Sequence, residues 1–213
     1  MRFPRGPVTN VLVALNVAIA LVLLVPVWWQ HAVIAGALFP ARFGAGASAF
    51  ADVGFVVPAV LTPISAAFLH GGIAHVVLNM LMLLLIGKMV ERVLGPFMYL
   101  LLYFTGAYAA AFAEYVVAPN SMIPIVGASG AMSAIIGAYV VLFPNKQPKN
   151  WGPIPASIAR PLHLLVAWVA LNLALGFVAP GLGMGIAIWS HIGGFVAGLL
   201  LARPLLLWRY RKA

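Results

Sequence analysis

The sequence contains no cysteine and very few acidic residues. Its 213 residues include 3 Asp and Glu against 12 Lys and Arg, and charged residues make up only 7% of the chain. The absence of cysteine excludes disulfides, thiolate nucleophiles and thiolate metal sites. No HExxH motif is present, and no carboxylate accompanies His75 and His191 in their apolar segments. We therefore expect neither a metal ion nor a cofactor.

Apolar residues dominate what remains. They account for 64% of the chain, too many to bury in one soluble core of this size, so the composition predicts an integral membrane protein. The formal charge of +9 would suggest nucleic-acid binding in a soluble domain. Here the basic residues lie at the ends of apolar segments, where they set the orientation of the chain in the membrane. We therefore expect no nucleic-acid partner.

Six apolar stretches are long enough to cross a bilayer as helices, and they form one predicted domain over residues 1–213. A span needs about 20 apolar residues, and lipid offers backbone groups no partners outside a helix. Residues 30–71 are apolar but interrupted by Pro40, Pro58 and Pro63, which predicts a membrane-associated first loop. The predicted spans are 8–29, 72–90, 96–117, 123–143, 161–178 and 183–202.

The basic residues predict that both termini are cytoplasmic. With the N-terminus inside, only Arg42 falls outside, and positive charge favours the cytoplasmic side. Spans two, four and six then run inwards from the outer surface. The residues placed inside are Arg2, Arg5, Lys88, Arg92, Lys146, Lys149, Arg160, Arg203, Arg209, Arg211 and Lys212.

Ser129 stands among small residues at the outer start of span four, in Gly127-Ala128-Ser129-Gly130. Small neighbours leave a hydroxyl uncrowded and let backbone amides approach a reacting oxygen, as a nucleophilic serine requires. The same composition also suits close helix packing in a membrane, so these four residues alone leave both interpretations open.

Three further polar side chains share the outer half of the bilayer with Ser129. His75 and Asn79 are four residues apart and therefore lie on one helical face, where they serve either a reaction or an interhelical hydrogen bond. His191 lies about 12 Å into span six at 1.5 Å per residue. It is followed by Gly194 and Gly198, a ridge of small residues that lets span six approach span four.

The carboxylates do not complete a catalytic triad in this interpretation. Asp52 lies in the first loop, and Glu91 precedes Arg92 at an inner helix end, where a structural ion pair or a loop anchor is favoured. Glu114 is placed at the interface, as are His31, His70 and His163. Ser129 and His191 therefore form a predicted dyad, since a serine needs a base to become a nucleophile.

Four segments together resemble the rhomboid family of intramembrane serine proteases. They are FLHGGIAHVVLNMLMLLLIG (68–87), VERVLGPFMYLLLYFTG (90–106), GASGAMSAIIGAY (127–139) and SHIGGFVAG (190–198). The resemblance implies a six-helix bundle, in agreement with the six predicted spans.

The resemblance also implies residue roles. Ser129 corresponds to the nucleophile and His191 to the general base and acid. His75, Asn79 and the Ser129 backbone amide correspond to the groups that stabilise the oxyanion, with Gly127 in support, and Glu91 and Arg92 to a structural pair. Position 133, which is aromatic in some members, is serine here, and the first loop lacks the Trp-Arg pair of other members.

The predicted function is therefore cleavage of transmembrane proteins at a wet site in the outer half of the bilayer, sealed laterally by membrane lipid. The resemblance further suggests lateral substrate entry beside span five, with residues 179–186 as a cap. The compact sequence, without a transit segment or an extra domain, suggests a multi-pass protein of a prokaryotic plasma membrane. Two alternatives remain: a rhomboid-like protein that binds transmembrane clients without cutting them, and a small transporter. Against the transporter, no inverted repeat relates the two halves of the sequence.

Overall fold

The computed structural model of the chain describes residues 5–54, 56–143, 152–153, 155–178 and 187–211. Within these ranges the fold is helical, and the only extended pairing is an isolated antiparallel bridge between Leu38 and Ile125. Short 3-10 turns occupy part of the first loop, at Pro40–Phe43, Ala45–Phe50 and Ala59–Leu61. The helices are α1 (Pro7–Val22), α2 (Pro26–Gly36), α3 (Thr62–Ala66), α4 (Ile73–Met82), α5 (Lys88–Val117), α6 (Ser129–Leu142), α7 (Ala156–Val178) and α8 (Ile188–Arg209).

The first predicted span, 8–29, is divided into two helices. α1 ends at Val22 and α2 begins at Pro26, with Val25 in an extended conformation (φ −77°, ψ 117°). Proline lacks an amide hydrogen and disfavours the helical conformation of the residue before it, which favours an end of α1 before Pro26 and a new helix that starts there. The start of the predicted first loop is helical as well, because α2 continues to Gly36.

The second and third predicted spans belong to one helical stretch with a sharp break at Gly95. α4 continues through a π-helical turn, Leu83–Gly87, into α5, and Gly95 then adopts φ 74° and ψ 163°. This left-handed backbone suits glycine, and Pro96 restarts the helix. The helical segment that corresponds to span 72–90 therefore extends to Leu94.

The helix of the fourth predicted span, α6, begins at Ser129, later than the predicted span 123–143. Residues 121–128 are not helical: Ile125 and Leu38 exchange backbone hydrogen bonds of 2.8 and 3.1 Å, and the Gly127 amide donates to the Ala66 carbonyl at 2.9 Å. The first loop thus holds the segment that leads into Ser129. The predicted spans 161–178 and 183–202 correspond to α7 and α8, and α8 runs past Pro204 to Arg209.

Small residues bring α6 and α8 into close contact. A Cβ atom added at Gly194 would overlap the Gly130 carbonyl, and one at Gly198 would overlap the Ala134 carbonyl. From α6, a Cβ at Gly137 would overlap the Phe195 carbonyl in the same way. Because the two backbones meet without intervening side chains, the first turn of α8 lies beside the first turn of α6.

The outside of the helical fold is apolar. Ile73–Val117 and Ile188–Arg209 are long and apolar enough to cross a membrane, and Pro7–Val22, Ser129–Leu142 and Leu162–Ala174 are shorter apolar helices. Large apolar side chains such as Phe112, Leu200 and Leu207 are exposed. Such a surface is stable against lipid rather than water, because it offers water no polar partners.

Candidate active site

The structure brings Ser129 and His191 into hydrogen-bond contact. Ser129 is the first residue of α6 and His191 lies in the first turn of α8, and the close approach of these helices places His191 Nε2 2.8 Å from Ser129 Oγ. Both residues are half-buried and therefore reachable from outside. A serine hydroxyl bonded to an imidazole nitrogen is the arrangement from which a base activates a nucleophile.

The backbone around Ser129 offers donors to a negative charge. The first amides of a helix have no partner within the helix, and the helix dipole adds partial positive charge there. The first α6 amide that bonds back along the chain is that of Met132, which donates to Ala128 at 2.8 Å. The Ser129 amide thus stands at the positive end of α6, close to its own hydroxyl.

His75 lies against Gly127, the residue that allows it to approach. Gly127 has φ 118°, and a Cβ there would come within 2.7 Å of the His75 Nε2 and Cε1 atoms. The Gly71 amide approaches His75 Nδ1 at 3.4 Å, which favours the tautomer with a hydrogen on Nε2. Because the Gly127 amide is bonded to Ala66, Gly127 supplies space rather than a hydrogen-bond donor.

Asn79 follows His75 by one turn of α4 and is almost fully buried, with 3% of its surface exposed. Its side-chain nitrogen has no hydrogen-bond partner among the described residues. A buried amide donor without a partner costs free energy unless a ligand or water satisfies it. His75 and Asn79 share one face of α4, so two donors point from the same side of this helix.

A residue missed by the sequence interpretation contacts the other side of the His191 ring. Asn172 of α7 places its Oδ1 atom 2.7 Å from His191 Nδ1, and only 2% of its surface is exposed. An amide in the middle of an apolar span is itself a signal, since polar groups at membrane depth face the interior of a bundle. The predicted dyad is thus extended by a third side chain.

Glu114, which the sequence predicts to lie at the interface, anchors the start of α8. Its carboxylate accepts hydrogen bonds from the backbone amide and the hydroxyl of Ser190, at 3.0 and 3.1 Å. A carboxylate on the first turn of a helix satisfies free amides and interacts favourably with the helix dipole. Glu114 therefore holds the residue next to His191 without contacting the imidazole.

Ser133 takes no part in holding the His191 ring. Its hydroxyl donates back to the Ser129 carbonyl at 2.8 Å, and the side chain is buried. The small side chain leaves room for Gly194, whose added Cβ would lie 3.2 Å from that of Ser133. On the far side, Trp168 stacks on Phe195 at 5.2 Å and donates to the His191 carbonyl at 3.3 Å.

His70 differs from its predicted interfacial placement. It is 5% exposed and its ring meets that of His75 edge-on, with 5.0 Å between the ring centroids. Burial, followed by the nearby His75, lowers the pKa of His70 to about 4. His70 is therefore neutral at physiological pH and packs behind His75.

Glu91 and Arg92 are close in sequence but act separately. Glu91 is 2% exposed and accepts three hydrogen bonds from the N-terminus of α1: from the amides of Val8 (2.9 Å) and Thr9 (2.8 Å) and from Thr9 Oγ1 (2.7 Å). The Arg92 side chain is exposed, and its carbonyl accepts a bond from Arg209. The carboxylate thus caps α1 instead of pairing with the neighbouring guanidinium.

The predicted cap over the substrate entrance, residues 179–186, lies outside the described residues. The helix that precedes it, α7, is the one that carries Asn172 and Trp168 to His191.

Comparison with known proteins points to one family. Residues 58–208 match the family model of the Rhomboid domain. The chain is 35% identical over 144 residues to RHOMBOID-like protein 4 of Arabidopsis thaliana, which covers 68% of this chain and 34% of that protein. It is 32% identical over 145 residues to Rhomboid protease GluP of Bacillus subtilis, and the match covers 68% of this chain and 26% of that protein.

A third relative is Rhomboid protease GlpG of Pectobacterium atrosepticum, 31% identical over 138 residues, which covers 65% of this chain and 46% of that protein. The matched region thus spans between about a quarter and a half of the length of these relatives.

Proposed function

Because the chain belongs to the rhomboid family, we propose that it is an intramembrane serine endopeptidase that cleaves transmembrane segments. The observation that carries the proposal is the 2.8 Å contact between His191 Nε2 and Ser129 Oγ at the start of two closely packed apolar helices. Two relatives are named rhomboid proteases, which supports the same reaction class.

In the proposed reaction, neutral His191 removes the Ser129 proton as the hydroxyl oxygen attacks the substrate carbonyl. The tetrahedral intermediate collapses when His191 returns the proton to the leaving amine, which leaves an acyl group on Ser129. Water activated by the same imidazole then hydrolyses the ester. The chemistry requires no group beyond the side chains described and water.

The developing oxyanion is stabilised by His75, Asn79 and the Ser129 amide. Asn79 contributes its otherwise unpartnered Nδ2 donor, His75 its Nε2 hydrogen, and the α6 N-terminus adds partial positive charge. Donors held in place before the reaction need no reorganisation as charge develops, so they stabilise the transition state more than the ground state.

The substrates we propose are other membrane proteins, cut where their spans are extended or helix-breaking, because a helical peptide bond is shielded by its own turn. In this proposal six spans cross a prokaryotic plasma membrane with both termini cytoplasmic. The site then opens to water in the outer half of the bilayer, where hydrolysis is feasible.

A cleavage assay in liposomes on single-span substrates tests the proposal. Wild-type protein cuts, whereas Ser129→Ala and His191→Ala do not, and a fluorophosphonate labels the wild type and not Ser129→Ala. Ser133→Ala is the matched control, because it removes a hydroxyl one turn along α6 that contacts no imidazole. Cleavage that persists in Ser129→Ala contradicts the proposal. Client binding by a wild-type protein that neither cuts nor labels supports the non-catalytic alternative.

The pH dependence of the cleavage rate tests whether a histidine is the base. Because the imidazole acts only when neutral, cleavage falls as acid protonates His191. The measurement is initial rate against pH on one substrate, carried down to the lowest pH at which the protein stays folded, and a rate that does not fall anywhere in that acid range contradicts a histidine base.

A further inference from the structure

Asn172 is buried, polar and bonded at both ends of its side-chain amide. It lies on α7 with 2% of its surface exposed, although its neighbours Leu171 and Leu173 are each 50% exposed. Burying an amide in an apolar helix costs free energy unless its donor and acceptor are both satisfied. Here Nδ2 donates to the Trp168 carbonyl at 2.9 Å and Oδ1 contacts His191 Nδ1 at 2.7 Å.

The bond to Trp168 decides which way the Asn172 amide faces. Rotating the amide by half a turn would set its oxygen against the Trp168 carbonyl, so that two acceptors would meet, and would direct the nitrogen at His191. The backbone of α7 therefore selects the orientation in which an acceptor, Oδ1, faces the imidazole. A contact of 2.7 Å to an amide oxygen requires that the His191 Nδ1 atom carries the hydrogen.

That requirement assigns the reactive nitrogen. In neutral imidazole one nitrogen donates and the other accepts. With hydrogen on Nδ1, the lone pair is on Nε2, the atom that lies 2.8 Å from Ser129 Oγ. The opposite tautomer would present a donor to the hydroxyl and leave Asn172 Oδ1 facing an unprotonated nitrogen.

We infer that Asn172 is a positioning residue that holds His191 in the Nδ1-protonated tautomer and orients its ring towards Ser129. The inference rests on the proposed protease function and replaces the predicted dyad by a Ser129–His191–Asn172 triad. A neutral amide suits this place in an apolar helix, because a carboxylate would carry the cost of desolvating a charge.

The other ionisable groups around His191 do not perform this role. His75 of α4 faces the same site, and Glu114 of α5 is bonded to Ser190 rather than to the ring. Ser129 approaches from α6. Asn172, from α7, is the side chain bonded to Nδ1.

The test compares three variants of the full chain in liposomes. Asn172→Leu removes the acceptor with similar volume, and Asn172→Asp keeps an acceptor and adds charge. Asn16→Leu is the matched control: Asn16 is also fully buried and bonds back to the carbonyl four residues earlier, Leu12, at 2.8 Å, but it lies on α1 away from His191.

We expect Asn172→Leu to lower kcat roughly 10- to 100-fold with little change in KM, since one buried donor on the base loses its partner. Fluorophosphonate labelling of Ser129 slows in parallel. Asn172→Asp, which keeps an acceptor, is more active than Asn172→Leu. It also moves the acid limb of the pH–rate profile to higher pH, because a carboxylate favours the protonated imidazole. Asn16→Leu in folded form keeps the wild-type kcat.

Nitrogen NMR of ring-labelled histidine supplies a readout that does not depend on activity. The His191 signal, assigned by its loss in His191→Gln, shows hydrogen on Nδ1 in the wild type and a mixture of tautomers in Asn172→Leu. Hydrogen on Nε2 in the wild type, or an Asn172→Leu kcat within about twofold of wild type, overturns the inference. A wild type that neither cleaves nor labels overturns the proposed function, while the NMR spectrum still decides the tautomer.

Discussion

Glu91 of α5 is buried against the N-terminus of α1. Replacing Glu91 tests whether its carboxylate caps α1 or pairs with Arg92. The structure shows three hydrogen bonds to its carboxylate from Val8 and Thr9, whereas the sequence predicts an ion pair with Arg92 or a loop anchor. Glu91→Ala removes all three bonds. Arg92→Gln removes only an exposed charge and keeps the backbone carbonyl that Arg209 contacts.

The size of the effect follows from what each change leaves unpaired. Thr9 is fully buried, so its amide and hydroxyl have no water to replace the carboxylate, whereas Val8 is partly exposed. Buried donors without partners cost about 1–3 kcal/mol each, so Glu91→Ala lowers the free energy of unfolding by about 3–5 kcal/mol. Glu91→Gln retains one oxygen for Thr9 and costs about 1–2 kcal/mol. Arg92→Gln stays within about 0.5 kcal/mol of wild type.

Reversible unfolding in mixed micelles of increasing dodecyl sulfate content, followed by circular dichroism, measures these differences. Folded Glu91→Gln keeps its cleavage rate, because Glu91 lies 16 residues from His75, roughly 24 Å along the helix. The capping role is refuted by an Arg92→Gln variant that loses as much stability as Glu91→Ala.

Three further outcomes are expected. Asn79→Ala removes one oxyanion donor and lowers kcat about 100-fold without preventing fluorophosphonate binding, as single-turnover cleavage will show. Gly198→Leu forces α8 away from the Ala134 carbonyl and abolishes cleavage, whereas Gly44→Ala, with no heavy atom within 4 Å of the added Cβ, leaves activity unchanged. Stability falls with acid because of His70: its pKa is about 4 when folded and about 6.5 when unfolded, so between these values only the unfolded chain binds the proton. In His70→Phe, the free energy of unfolding therefore varies less with pH over that range, as dodecyl sulfate titrations at several pH values can measure.

Local sequence patterns were sufficient to locate most helices and the two residues that meet at the candidate active site. Apolar runs predicted the segments now seen as α1 and α4 to α8. An apolar run in an apolar environment forms a helix because its backbone groups must be paired within the segment. Pro26 and Gly127 explain two of the differences in helix boundaries, at the divided first span and the later start of α6. The Gly-Ala-Ser-Gly and Ser-His-Ile-Gly-Gly segments marked Ser129 and His191 because small residues around a polar one are a local feature.

The partners of the buried polar groups were decided by tertiary structure alone. Asn172 contacts His191 across 19 residues, Glu114 contacts Ser190 across 76, and Glu91 contacts Thr9 across 82. Helical periodicity tells which face of a helix a residue occupies, but not which neighbouring helix meets that face or at what height. The glycine contacts between α6 and α8 fix that height for His191, and the position of α7 then determines that an amide, rather than one of the three carboxylates in the chain, reaches Nδ1.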